Sequence, residues 1–193
     1  MTNWINVVPL LLVFIGCAWF LISKTTEFMI ASVGIIVVSE FILDFQFVSL
    51  SVATIRLIAC LASVLVMFIS TRGIEETTYT IRRNVTLFRV TAFVVISIPI
   101  VFLSYSVAEY LRLPVEIIIG GLLAVLCGIL QLGLSTIPSK VILSLIIVYC
   151  GFASIYNLLE SSLLVNGLLS VIILLLGGIG TYLIIRDVKE DTK

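Results

Sequence analysis

The stretch FVSLSVATIRLIACLASVLVMFIS, residues 47–70, carries one charged side chain, Arg56, in an otherwise apolar or small-residue run. A bilayer-spanning helix needs about 20 such residues, because each advances about 1.5 Å across a hydrocarbon core about 30 Å thick. Backbone groups in that core find no water, so the run satisfies its own hydrogen bonds as a helix. Six further runs read the same way: 5–23, 27–43, 88–108, 115–135, 141–157 and 163–185. The chain is therefore expected to be an all-α polytopic membrane helix bundle of about seven transmembrane helices. It forms a single integral membrane domain over residues 1–193. Apart from the polar stretch 71–87, the connections are short, so sequential helices pack as antiparallel neighbours.

Composition agrees. Hydrophobic residues make up 61% of the chain and charged residues 11%, where soluble domains have about 45–50% and about 25%. That much apolar surface cannot be hidden in one soluble core. A soluble enzyme, a nucleic-acid binder and a disordered scaffold are excluded. Eleven basic and eleven acidic residues cancel, and histidine is absent. No histidine-ligated haem or zinc and no histidine proton shuttle can be built. No lysine in the seventh run could hold retinal. No Ser/His/Asp set, HExxH, nucleotide loop or metal cluster is present, so neither enzymatic activity nor a cofactor is expected.

Basic residues orient the bundle. With the N-terminus outside, the inner segments hold Lys24, Arg72, Arg82, Arg83, Arg89, Lys140, Arg186, Lys189 and Lys193, and the outer segments hold only Arg112. The positive-inside rule then places the C-terminus in the cytoplasm. Trp4, Tyr105, Tyr110 and Tyr156 fall near the outer surface, with Trp19, Tyr79 and Tyr182 near the inner one, as interfacial aromatic belts do. A six-span alternative with 141–185 folded differently would put the C-terminal basic residues outside. The first run lacks a basic n-region, and Phe14 and Trp19 fit a lipoprotein cleavage site poorly, so a retained helix is expected.

Cys17, Cys60, Cys127 and Cys150 lie in four different spans with no metal-ligand spacing, and read as small apolar filler. Pro99 should kink the fourth helix and free a carbonyl. Ala59/Ser63, Ala124/Gly128 and Gly177/Thr181 place small residues four apart, the spacing of close helix–helix contact.

Charges in the lipid zone are where chemistry could reside, since each costs several kcal/mol unless paired or hydrated. On these runs Glu40 lies roughly 6 Å below the outer end of its helix and Arg56 roughly 13 Å below. Arg56 can therefore reach up to Glu40 or to Asp44. A guanidinium favours such a carboxylate partner. Two readings stand: a buried ion pair that fixes helix register, or a charged element of an ion or proton route. A route needs a chain of polar groups across the bilayer, and the inner half offers Gln131, Ser135, Thr136 and Lys140. Asn166 and Ser170 share a face of the last helix and, like Gln131, read as interhelical hydrogen-bond glue. Glu160 reads as a loop charge or as a cap of the seventh helix with Ser161 and Ser162.

Ala53-Thr-Ile-Arg56, then Ser70-Thr-Arg-Gly-Ile, then Val148-Tyr-Cys150 and Asn166-Gly-Leu-Leu-Ser170 together form a recognisable series. With seven spans and the N-terminus outside, it resembles the E-type membrane chain of hydrogenase-4-like complexes. These are relatives of respiratory complex I and of Mrp-type cation/proton antiporters. In that family a lysine occupies the place of Arg56, and the last three helices are similar to the K-type subunit of complex I. The K-type acids of the last two helices have no counterpart here; Ala153 and Val171 fall near those places.

The resemblance implies a non-catalytic subunit of a complex I-like or Mrp-like proton/cation-translocating assembly in the inner (cytoplasmic) membrane. Its role would be accessory or bridging. Its partners would be antiporter-like and K-like membrane chains within a hetero-oligomer, set in the lipid bilayer, with no nucleic acid. The alternatives are a self-contained small transporter or channel using Glu40 and Arg56 at an outer cavity, or a membrane scaffold or receptor.

Overall fold

The structure, a computed structural model, describes residues 3–23, 25–71, 83–135, 137–160 and 162–191. Lys24, the stretch from Arg72 to Arg82 with Tyr79, Thr136, Ser161 and Lys193 lie outside the described residues, as do the side chains of Trp4, Arg83 and Lys189. The described residues form seven α-helices: α1 Asn3–Ile22, α2 Thr26–Asp44, α3 Leu50–Thr71, α4 Arg83–Leu111, α5 Val115–Leu134, α6 Pro138–Leu159 and α7 Leu163–Asp191. Six of them, α2 to α7, are long and apolar enough to cross a membrane; α1 is a shorter apolar helix over Asn6–Ile22. The chain is a polytopic helical bundle.

Several helix ends differ from the hydropathy reading, for local reasons. Ile137 is extended, and Pro138 opens α6 at its first position, where its fixed φ suits a helix and its missing N–H is not needed. The α2–α3 connection is tight. The Phe47 and Val48 amides both donate to the Asp44 carbonyl, and the Ser49 carbonyl then accepts from Val52 and Ala53. This delays the start of α3 to Leu50. Helices α4 and α7 run 29 residues each, or about 43 Å, enough for the hydrocarbon core with its headgroup layers. Hydropathy marks only the lipid-facing part of such a helix. The fourth helix is continuous through Pro99.

The bundle has two layers. Helices α4, α5, α6 and α7 lie side by side, and α1, α2 and α3 pack over them. In that stacking α1 sits over α4 and α5, α2 over α5 and α6, and α3 over α7. The core between the layers is apolar, with Phe20, Met29, Ile36, Met67, Phe93, Ile118 and Ile146 all fully buried. On the outer faces Ile58, Phe102 and Leu175 are exposed, as side chains solvated by lipid tails should be.

Close approach is set by missing side chains. A Cβ on Gly151 would lie 2.5 Å from the Gly121 carbonyl oxygen, and one on Gly121 would lie 2.8 Å from the Gly151 oxygen. The α5 and α6 backbones therefore touch. A Cβ on Gly177 of α7 would lie 2.6 Å from that of Ser63 on α3, whose hydroxyl donates to the Ile173 carbonyl at 3.0 Å. Small residues thus perform the packing role that their spacing suggested.

Candidate functional site

Three helices bring their polar residues to one seam. Helix α2 supplies Glu40 and Asp44, α3 supplies Arg56 and Cys60, and α6 supplies Cys150, Ser154 and Asn157. Within each helix the residues recur three or four apart, so each set forms one stripe.

Arg56 is 6% exposed and forms an ion pair with Asp44, which is fully buried. Of the two acids within its reach in the sequence, Asp44 is the partner. The late start of α3 explains the choice: counted from Leu50, Arg56 lies roughly 9 Å deep rather than 13. Glu40, 2% exposed, takes a different partner and accepts a hydrogen bond from the Ser154 hydroxyl at 3.3 Å. Two carboxylates and one guanidinium thus share a buried layer near the end where α2 closes and α3 opens. One acid is charge-paired and the other is held by a hydroxyl.

The layer keeps unspent hydrogen-bonding capacity. Among the described residues, Glu40 Oε1, Asp44 Oδ1 and Arg56 Nη1 are buried without a hydrogen-bond partner, and so are both amide atoms of Asn157. Each such group left unsatisfied costs about 1–3 kcal/mol. The set offers acceptors and donors together, which suits water, and acceptors in excess of the single cation, which suits a proton or small cation.

A second polar site lies toward the opposite end. Arg89 of α4, 6% exposed, donates to Gln131 Oε1 at 3.4 Å and to the Leu134 carbonyl at 2.7 Å. Arg89, counted in the sequence among the basic residues of the inner segments and at the start of the 88–108 run, is thus buried within a helix. Helix α4 starts at Arg83, so Arg89 is already inside the bundle. Lys140 is likewise buried, in the first turn of α6. A helical start at Arg83 is visible in the sequence only if helix length is not equated with apolar length. Gln131 is an interhelical hydrogen-bond partner, its amide oxygen accepting from the buried Arg89 of the neighbouring helix.

Asn166 and Ser170 take hydrogen-bond partners within their own helix and its entry turn. Asn166 Nδ2 donates to the Ser162 and Glu160 carbonyls at 3.0 and 3.3 Å, and the Ser170 hydroxyl donates to the Asn166 carbonyl at 2.9 Å. They tie down the α6–α7 turn, where the Ser162 amide donates to Glu160 Oε1 at 3.1 Å. Hydrogen bonding within one turn replaces the expected bonding between helices. At the same end of the bundle, Asn6 of α1 donates to Glu116 of α5 at 3.2 Å.

The four cysteines are buried and free, as filler would be, but they fall into two sets. Cys60 and Cys150 approach to 3.1 Å between sulfurs. Cys17 and Cys127 lie beside each other, with Cys127 Sγ also donating to the Cys17 carbonyl at 3.5 Å and Cys17 Sγ to the Leu123 carbonyl at 3.9 Å. The spacing of cysteines along the chain holds no sign of either meeting, because both are made across helices.

Comparison with protein-family models, with curated proteins and with solved structures finds no match to this chain.

Proposed function

We propose that the chain is a non-catalytic membrane subunit of a complex I-like or Mrp-like proton/cation-translocating assembly. It would sit in the inner (cytoplasmic) membrane with its N-terminus outside, beside antiporter-like and K-like chains. One observation carries the reading: among the described residues, two buried sites with charged side chains stand at opposite ends of the bundle, with no buried charged side chain between them. Glu40 lies four residues from one end of α2, and Gln131 sixteen residues from the matching end of α5. The sites are thus roughly 18 Å apart along the bundle axis. The intervening level holds buried Val33, Ile36, Ala124, Cys127, Ile146 and Ile147, together with Ser32, Ser63 and Ser144, whose hydroxyls are spent on backbone carbonyls. A stand-alone channel or carrier needs its ionisable groups joined by water or by a moving element. A subunit that lends charge to a neighbouring pathway needs only the local site. The short residue stretches that resemble hydrogenase-4-like E chains support the same class.

The self-contained transporter has one observation in its favour, that the Glu40–Asp44–Arg56 layer is assembled within a single chain. Native purification separates the two. Co-purification with larger membrane chains, and ion flux only from that complex in liposomes, supports the assembly reading. A monodisperse self-assembly that moves ions by itself overturns it.

A further inference from the structure

Cys60 lies one turn beyond Arg56 on α3, and Cys150 one turn before Ser154 on α6. Helices α3 and α6 have no extensive packing face in common, and the sulfur pair is where they meet. The two residues are 90 positions apart in the chain, each 1% exposed, with sulfurs 3.1 Å apart. Two sulfurs in ordinary contact sit farther apart than this, while a disulfide bond measures about 2.05 Å. Bringing the sulfurs to bonding distance needs about 1 Å of approach. Cys17 and Cys127 form a second buried thiol pair, whose sulfurs also contact backbone carbonyls, those of Leu123 and Cys17 respectively.

We infer that Cys60 and Cys150 form a dithiol site that a membrane-permeant two-electron oxidant converts to a disulfide linking α3 to α6. With a diazenedicarboxamide such as diamide, one sulfur adds to a nitrogen of the N=N bond and its proton goes to the other nitrogen. The second sulfur then attacks the first; the S–S bond forms, the S–N bond breaks, and the departing nitrogen takes the second proton. Two thiols lose two electrons and two protons, and the diazene becomes a hydrazine. The new bond fastens the two helices one turn below the Arg56–Asp44 pair and the Glu40–Ser154 contact. This inference stands independently of any role in ion translocation.

The test uses the intact protein in its native membrane. Membranes are treated with diamide, and in parallel with iodine, which is small and apolar and takes the same two electrons to give iodide. The protein is then denatured and alkylated with N-ethylmaleimide, and intact mass counts the free thiols. Two of four thiols should be lost, and peptide mapping should find the Cys60 peptide joined to the Cys150 peptide. Dithiothreitol should restore all four. The unfolding midpoint should rise on oxidation and fall back on reduction. The Cys17→Ser variant should still lose two thiols, whereas Cys60→Ser should lose none. Retention of all four thiols with both oxidants overturns the inference. So does a disulfide mapped to Cys17 and Cys127, a result read on the wild-type chain that needs no variant to fold.

Discussion

Asp44 and Arg56 close the α2–α3 connection with a buried ion pair spanning twelve residues of chain. The tight turn between them sets the level of both side chains, so the pair and the turn specify each other. Glu40, one turn deeper, meets Ser154 through Oε2, and the ion pair of Arg56 is made with Asp44.

Removing one partner of this pair strands the other in a water-poor layer. Arg56→Leu or Asp44→Leu alone should destabilise the bundle by about 3–5 kcal/mol, whereas the double variant should come close to wild type. A double-mutant cycle on unfolding in detergent measures the coupling directly. Additive single effects would show that the two side chains do not interact.

Glu40→Gln preserves size and an acceptor for Ser154 but removes the charge. The protein should assemble at wild-type levels, and coupled ion flux through the assembly should fall by an order of magnitude or more. Ser154→Ala removes one neutral hydrogen bond and should cost about 1 kcal/mol of stability. Normal flux in Glu40→Gln, measured in liposomes, would confine the residue to a packing role.

Where α5 meets α6 there is no room for a side chain. Gly151→Val would place branched carbons against the Gly121 carbonyl, in backbone that cannot rotate away. A loss of at least about 1–3 kcal/mol is expected, the usual range for overpacking. Gly167→Ala, at a site with open space around its Cβ position, should instead be neutral or slightly stabilising. The two unfolding midpoints, compared side by side, check this.

Helix α4 ends at Leu111 and is followed by Arg112, whose φ of 55° is the one positive value outside glycine among the described residues. The Leu113 amide reaches back to the Ala108 carbonyl at 3.0 Å, the bond of a left-handed helix stop. Glycine tolerates that conformation without the Cβ clash, so Arg112→Gly should stabilise the protein by up to about 1 kcal/mol. A lowered melting temperature would show that the Arg112 side chain makes a compensating contact.

Topology can be read without removing any native thiol, since all four are buried. With the N-terminus outside, Gln46→Cys in the α2–α3 turn should react with an impermeant maleimide added to intact cells. Ser135→Cys, at the other end of the bundle, should react only after permeabilisation. The reverse pattern would invert the orientation given by the basic residues.

The helices were legible in the sequence because lipid imposes one simple demand, a long apolar run, and residues 47–70 meet it plainly. Arg56 was legible for the same reason, as an exception that has to be resolved inside the protein. Its choice of Asp44 over Glu40 was not, because it depends on three residues of turn that delay α3. The burial of Arg89 was not legible, because apolar length understates helix length when the first turns are polar. The Cys60–Cys150 approach left no trace in the sequence at all, since it arises only from how two distant helices are stacked.

The Gly121–Gly151 contact has a mechanical consequence. Where two backbones touch, no layer of side chains is left to shear, so α5 and α6 behave as one stiff hairpin. Sliding α6 by a single residue, about 1.5 Å, would drive one peptide group into the other. The arm of this hairpin that holds Ser154 engages Glu40, and the arm that holds Gln131 engages Arg89. A displacement imposed at either end is therefore delivered to the other as a rigid lever, across an apolar interior that would transmit very little of it as charge.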